Sequence, residues 1–167
     1  MAACRKKDRG QVDFSVCFRY NGLENTLKFK GVIQMTPQEL VVCALDAQAH
    51  AYAPYSGFRV GAALLTRGGR IYLGCNIENK SFSPTVCAER VALFKAISEG
   101  ETDFEAIAVV GRDKNGVYKH FCTPCGVCRQ ALSEFCAPDF RIIFGDDTGE
   151  CEVHTLAELL PYSFSME

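Results

Sequence analysis

From Thr36 onward, runs with helical spacing and runs with strand character follow one another without a linker, which restricts the chain to layered α/β arrangements. Thr36-Pro37-Gln38-Glu39 combines a capping box with Pro at the first helical position. Leu40, Ala44, Ala47 and Ala51 follow at helical spacing and predict a helix to about Ala53. Pro54-Tyr55-Ser56-Gly57 breaks it. Two strand-like runs, Phe58 to Thr66 and Arg70 to Glu78, then flank Arg67-Gly68-Gly69 as a hairpin. Beyond Pro84 the spacing predicts a helix over Cys87 to Glu99 capped by Gly100, a strand over Glu105 to Gly111 and a helix over Pro124 to Phe135. A strand over Phe140 to Gly145 and a short helix over Thr155 to Leu160 complete the pattern. The order α-β-β-α-β-α-β-α requires helical crossovers and hence a mixed sheet with parallel strands on one side.

Ahead of this domain, Val12 to Gly31 alternates apolar and polar residues about Asn21-Gly22, the signature of a β-hairpin. The predicted organisation is therefore an extension, residues 1–35, and a main domain, residues 36–167. With 167 residues, the chain can bury roughly 70% of its unfolded surface and needs no metal or disulfide merely to fold. A formal net charge of -2 argues against nucleic acid as the main partner and favours a small neutral ligand. No apolar run of signal-peptide or membrane-spanning type is present, so the expected location is the cytoplasm, with no membrane partner. There, ten cysteines read as thiols or metal ligands.

Three of those cysteines stand where chemistry is easiest. Cys87 opens one predicted helix, and Cys125 and Cys128, three apart and preceded by Pro124, open the next. Helix N-termini favour the thiolate form that binds metal, and zinc suits sulfur ligands. Three ligands leave a coordination position open. Glu89, two residues beyond Cys87, could then move protons beside the metal without ligating it. Arg90 could donate hydrogen bonds to the coordinating sulfurs and offset their charge. Cys122 extends the run to Cys-x2-Cys-x2-Cys, so an iron–sulfur cluster with Cys87 or Cys136 is an alternative, and His120 is a weaker alternative ligand. The remaining cysteines read as small apolar fillers or exposed thiols.

Cys87-Ala88-Glu89-Arg90 together with Pro124-Cys125-Gly126-Val127-Cys128-Arg129-Gln130 resembles the zinc signature of the cytidine deaminase family, in its three-cysteine, free-nucleoside form. Residues Pro54 to Ala63, Gly74 to Asn79 and Leu159 to Phe164 also resemble family segments, in the family's order. The resemblance implies a three-layer α/β/α sandwich around a mixed five-stranded sheet, here with the added N-terminal hairpin. It implies one Zn²⁺ per subunit, a homotetramer with sites shared between subunits, and hydrolysis of cytidine and deoxycytidine to uridine and deoxyuridine with release of ammonia. It assigns zinc to Cys87, Cys125 and Cys128 and proton transfer to Glu89. Among substrate contacts it places Asn76 and Glu78 at the ribose, Phe58 against the ligand, Ala88 in the site and Phe164 in a neighbouring subunit's site. Phe82 stands where the family often has tyrosine. Rival readings are a deaminase of a related aminopyrimidine, such as a nucleoside antibiotic or cytosine in a polynucleotide, and a non-catalytic metal-binding protein.

Overall fold

The computed structural model describes residues 35–118 and 122–164; the hairpin expected over Val12 to Gly31, and His120, lie outside the described residues. The elements in chain order are α1 (Pro37–Gln48), β1 (Arg59–Thr66), β2 (Ile71–Cys75), α2 (Ala88–Ser98), β3 (Phe104–Arg112), α3 (Gly126–Phe135), β4 (Arg141–Gly145), β5 (Cys151–Thr155) and α4 (Leu156–Leu159). The strands form one sheet in the order β2-β1-β3-β4-β5. Among the described strands only β3 and β4 run parallel, because α3 carries the chain back between them; the other described pairs are antiparallel.

Neighbouring residues on the central strands face opposite layers. Leu64, Ile107 and Ile142 belong to the core beneath α2, α3 and α4, and Leu65, Ala108 and Ile143 belong to the core beneath α1. Both sheet faces are thus covered, which accounts for the continuous apolar runs in β1, β3 and β4. The expected three-layer, mixed five-stranded architecture is the observed one.

Helix α1 begins as predicted. Thr36 Oγ1 accepts from the Glu39 backbone N–H, and Glu39 Oε2 accepts from the Thr36 N–H at 2.8 Å. It ends at Gln48 rather than near Ala53 because the chain beyond is drawn onto the end of β2: Tyr52 N–H donates to Asn76 O and Glu78 N–H to Tyr52 O. The second strand of the hairpin stops at Cys75, short of Glu78, leaving Ile77 in isolated bridges to Tyr52 and Val86. The residue pattern places four of the five strands that the resemblance implies; the fifth is β5. Its Cys-Glu-Val-His-Thr sequence forms a charged sheet edge, paired to β4 through the turn closed by Asp146 and Thr148. Cys43, expected as a filler, is fully buried and engaged in a disulfide.

Helix α2 lies unusually close to β2, which fixes where its N-terminus points. Ala88, Ala92 and Ala96 are fully buried on its inner face, and a Cβ at Gly74 would stand 2.3 Å from Ala88 O and 2.6 Å from Ala92 N. A backbone cannot yield as a flexible side chain would. Gly74→Ala is therefore expected to destabilise the fold by about 2 kcal/mol or more, as overpacking of a core does. The check is a lowered urea midpoint with an unchanged slope.

Candidate metal centre

Helices α2 and α3 pack on the same sheet face, and each begins at a cysteine in extended conformation. Cys87 is the N-cap of α2 and Cys125 the N-cap of α3; neither side chain makes a capping hydrogen bond, which leaves both sulfurs for other work. Cys128 lies in the first turn of α3 and is fully buried. The Sγ atoms of Cys87 and Cys125 are 3.9 Å apart, those of Cys125 and Cys128 3.5 Å, and all three lie within 4.8 Å of one another. Four ligands around zinc at a Zn–S distance of about 2.3 Å would stand roughly 3.8 Å apart, so the donor set fits that metal.

The surroundings favour thiolate at Cys87. The Cys128 thiol donates to Cys87 and, with Arg90, holds Cys87 down to about 5, while the same bond and burial push Cys128 up. Arg90 Nη2 points to Cys87 Sγ at 3.9 Å and to Thr85 O at 3.4 Å. Its Nε is buried and without a hydrogen-bond partner among the described residues, a donor left unpaired beside the sulfur that Nη2 reaches.

Glu89 is only 4% exposed, and burial, followed by the neighbouring Cys87 charge, raises its carboxyl to about 7. Such a group can both hold and release a proton near neutrality. Ala88 beside it is fully buried. Cys122 stays outside the three-sulfur group: burial, then the charges of Glu89 and Cys87, push its thiol up to about 12. It occupies the space left by the missing side chain of Gly111, where a Cβ would be 2.3 Å from Cys122 Sγ and 3.0 Å from Phe58 Cζ. Phe58 and Cys122 thus meet over Gly111, with Cys122 close enough to Glu89 to feel its charge. Nothing in the sequence alone distinguished Gly111 as the residue that makes this room.

Asn76 and Glu78 are both engaged within the chain. Asn76 Oδ1 accepts from Val60 N–H at 2.8 Å and its Nδ2 donates to Phe58 O at 2.9 Å, so this side chain sets the backbone that carries Phe58. The Glu78 carboxylate accepts from the Ser56 hydroxyl and from the backbone N–H groups of Tyr55 and Ser56, bonds that lower its pKa and tie down the turn before β1. Glu78 also lines a cavity of about 300 Å³ with Tyr55, Ser56, Asn79, Phe82 and Thr85. Phe82, at φ 53°, is 78% exposed at this cavity. Phe164 is 72% exposed, its carbonyl held by Gln130 Nε2 at 3.1 Å. His154 is accounted for structurally, stacked on Phe144 and bonded to Glu152.

Three thiols converging at two helix N-termini beside a buried carboxyl, on a three-layer α/β/α frame, define a zinc-dependent hydrolytic centre. Residues 35–144 match the family described as the cytidine and deoxycytidylate deaminase zinc-binding region. The chain is 46% identical over 133 residues to a cytidine deaminase of Sporosarcina psychrophila, covering 80% of this chain and 94% of that one. It is 47% identical over 133 residues to a cytidine deaminase of Halalkalibacterium halodurans, covering 80% and 97%. Its fold is similar to a crystal structure of cytidine deaminase from Burkholderia pseudomallei at a TM-score of 0.69 and 40% identity, covering 78% of this chain and all of that one. The chain belongs to the cytidine deaminase family. The matched zinc-binding region spans Cys87, Cys125 and Cys128, a site for one zinc.

Proposed function

We propose that this chain hydrolyses cytidine and deoxycytidine to uridine and deoxyuridine with release of ammonia, using Cys87, Cys125 and Cys128 to hold one zinc and Glu89 to move protons. The observation that carries this reading is the convergence of three sulfurs beside a carboxyl that is 4% exposed and raised to about 7. Zinc, when bound there, supplies the Lewis acidity that makes water a nucleophile near neutral pH. Three thiolates would leave a metal centre with a net charge of about -1, and the two helix N-termini and Arg90 offset it.

Glu89 accepts a proton from the attacking water and delivers it to N3 of the pyrimidine as the C4–O bond forms. It then takes the remaining proton from the new C4 hydroxyl and delivers it to the amino group, so that the C4–N bond breaks as C4=O forms and ammonia leaves. Phe58, held by Asn76, packs against the base; Ala88 contributes to the wall of the site. Glu78 and Asn76 engage the ribose, a reading supported for Glu78 by its place on the cavity. Incubation with cytidine, deoxycytidine and an aminopyrimidine nucleoside antibiotic, followed by absorbance, tests the substrate class. Turnover of the first two is expected, and turnover of the antibiotic alone would move the assignment.

The assembly is a homotetramer in which Phe164 reaches a neighbour's site, and the domain extends over residues 36–167. The outward-facing aromatics Tyr55, Phe82 and Phe164 support the first part of this reading. Phe164→Ala and Glu89→Gln proteins, each inactive or weak alone, are expected to regain activity when dissociated and reassembled together. Persistent inactivity of the mixture would contradict shared sites. No described helix is long and apolar enough to cross a membrane.

A further inference from the structure

We infer that Arg129 is a positioning residue that ties the Cys125 ligand loop to the C-terminal segment, so that retention of zinc depends on its guanidinium. The inference rests on the zinc reading of the three sulfurs. Arg129 Nε donates to Pro124 O at 2.7 Å, Nη2 to Thr123 Oγ1 at 3.2 Å and Nη1 to Leu159 O at 2.6 Å. Its backbone N–H donates to Cys125 O at 3.0 Å. One half-buried side chain therefore grips the two residues before the ligand and a carbonyl 30 positions later in the chain.

The loop needs such a grip. Cys125 is the exposed member of the ligand trio and has no side-chain cap to fix the start of α3. Pro124 has no N–H with which to anchor itself. The anchor at the other end is firm, because Leu159 and Leu160 pack against the core that also holds α2 and α3. Three acceptors in three directions match the planar fork of arginine, and a lysine ammonium cannot serve all of them. The next residue extends the tie: Gln130 Nε2 reaches Phe164 O at 3.1 Å, so a single turn of α3 holds both the ligand loop and the segment ending in the outward aromatic.

The test compares zinc-loaded wild type with Arg129→Ala, Arg129→Lys and Gln130→Ala. Metal content is measured first, then zinc release into an excess of a colorimetric chelator, well below the melting temperature of every variant, with KM and kcat recorded in parallel. Arg129→Ala is expected to release zinc roughly ten- to a hundredfold faster, the usual cost of removing a group that orients a ligand. Arg129→Lys should fall between the two, and Gln130→Ala should release zinc at the wild-type rate while raising KM severalfold with kcat nearly unchanged. A lowered melting temperature with wild-type zinc release in Arg129→Ala would reduce Arg129 to a structural residue and overturn the inference. If Arg129→Ala does not fold, a wild-type release rate in Arg129→Lys overturns it equally. Wild type that loads no zinc would overturn the zinc reading and this inference together, whereas loaded wild type with unchanged release in the variants overturns this inference alone.

Discussion

Glu89→Gln is expected to retain one zinc per chain and to lose turnover by roughly a hundred- to ten-thousandfold, the range that a positioned proton carrier contributes. The substitution preserves shape at a buried position, since Glu89 is 4% exposed and flanked by fully buried Ala88. What it removes is the ability to gain and lose a proton. Burial holds the native carboxyl near 7, so both of its forms are populated at neutral pH; an amide has neither role. The three sulfurs are untouched by the change, and a neutral side chain is easier to bury than a carboxylate. Metal content should therefore be that of the wild type and the melting temperature equal or slightly higher. Measured turnover within tenfold of wild type would remove Glu89 from the mechanism.

Cys128→Ala is expected to abolish both zinc retention and activity while leaving the protein folded. Cys128 is the deepest of the three ligands, set in the first turn of α3 with its neighbours at 3.5 Å and within 4.8 Å. Without it two thiols remain at the mouth of the site, too few to hold zinc against a chelator. The fold should survive because its cores lie on both faces of the sheet and rest on side chains such as Leu64, Ile107 and Phe144, not on the metal. Dialysis against a chelator followed by metal analysis, with circular dichroism as the control for folding, checks this. A variant that keeps stoichiometric zinc would shift the ligand role elsewhere; one that unfolds would make the metal structural.

Much of this frame can be read from residue order because the local signals agree with the global packing. The Thr36–Glu39 capping box, the Gly100 cap at φ 90° and the Cys-x-x-Cys placed at a helix start are all local devices, and each stands where the pattern puts it. Strand β5 is absent from the residue pattern because it is a short edge paired only to β4, with four of its five residues only partly buried and a weak apolar pattern. Helix α1 ends early for a reason outside its own sequence, the pairing of Tyr52 with residues after β2. At the site, the sequence pattern picks out the three cysteines that the fold brings together, and Glu89 two residues beyond Cys87, since metal chemistry restricts residue type and spacing together. Gly111, which opens the space for Cys122 and Phe58, and Arg129, which reaches Leu159, act through contacts between segments distant in sequence, and spacing carries no trace of those. Asn76 shows the converse, with a position suggestive of ligand binding and an amide that also braces the backbone of β1.

The central claim is that water replaces the amino group at C4, and reaction in heavy-oxygen water measures that replacement directly. Zinc-loaded protein, cytidine and labelled water should yield uridine carrying one heavy oxygen at C4, with one ammonia released for each uridine formed. Folded, zinc-loaded protein that leaves cytidine and deoxycytidine unchanged, or a product that lacks the label, would contradict the assignment.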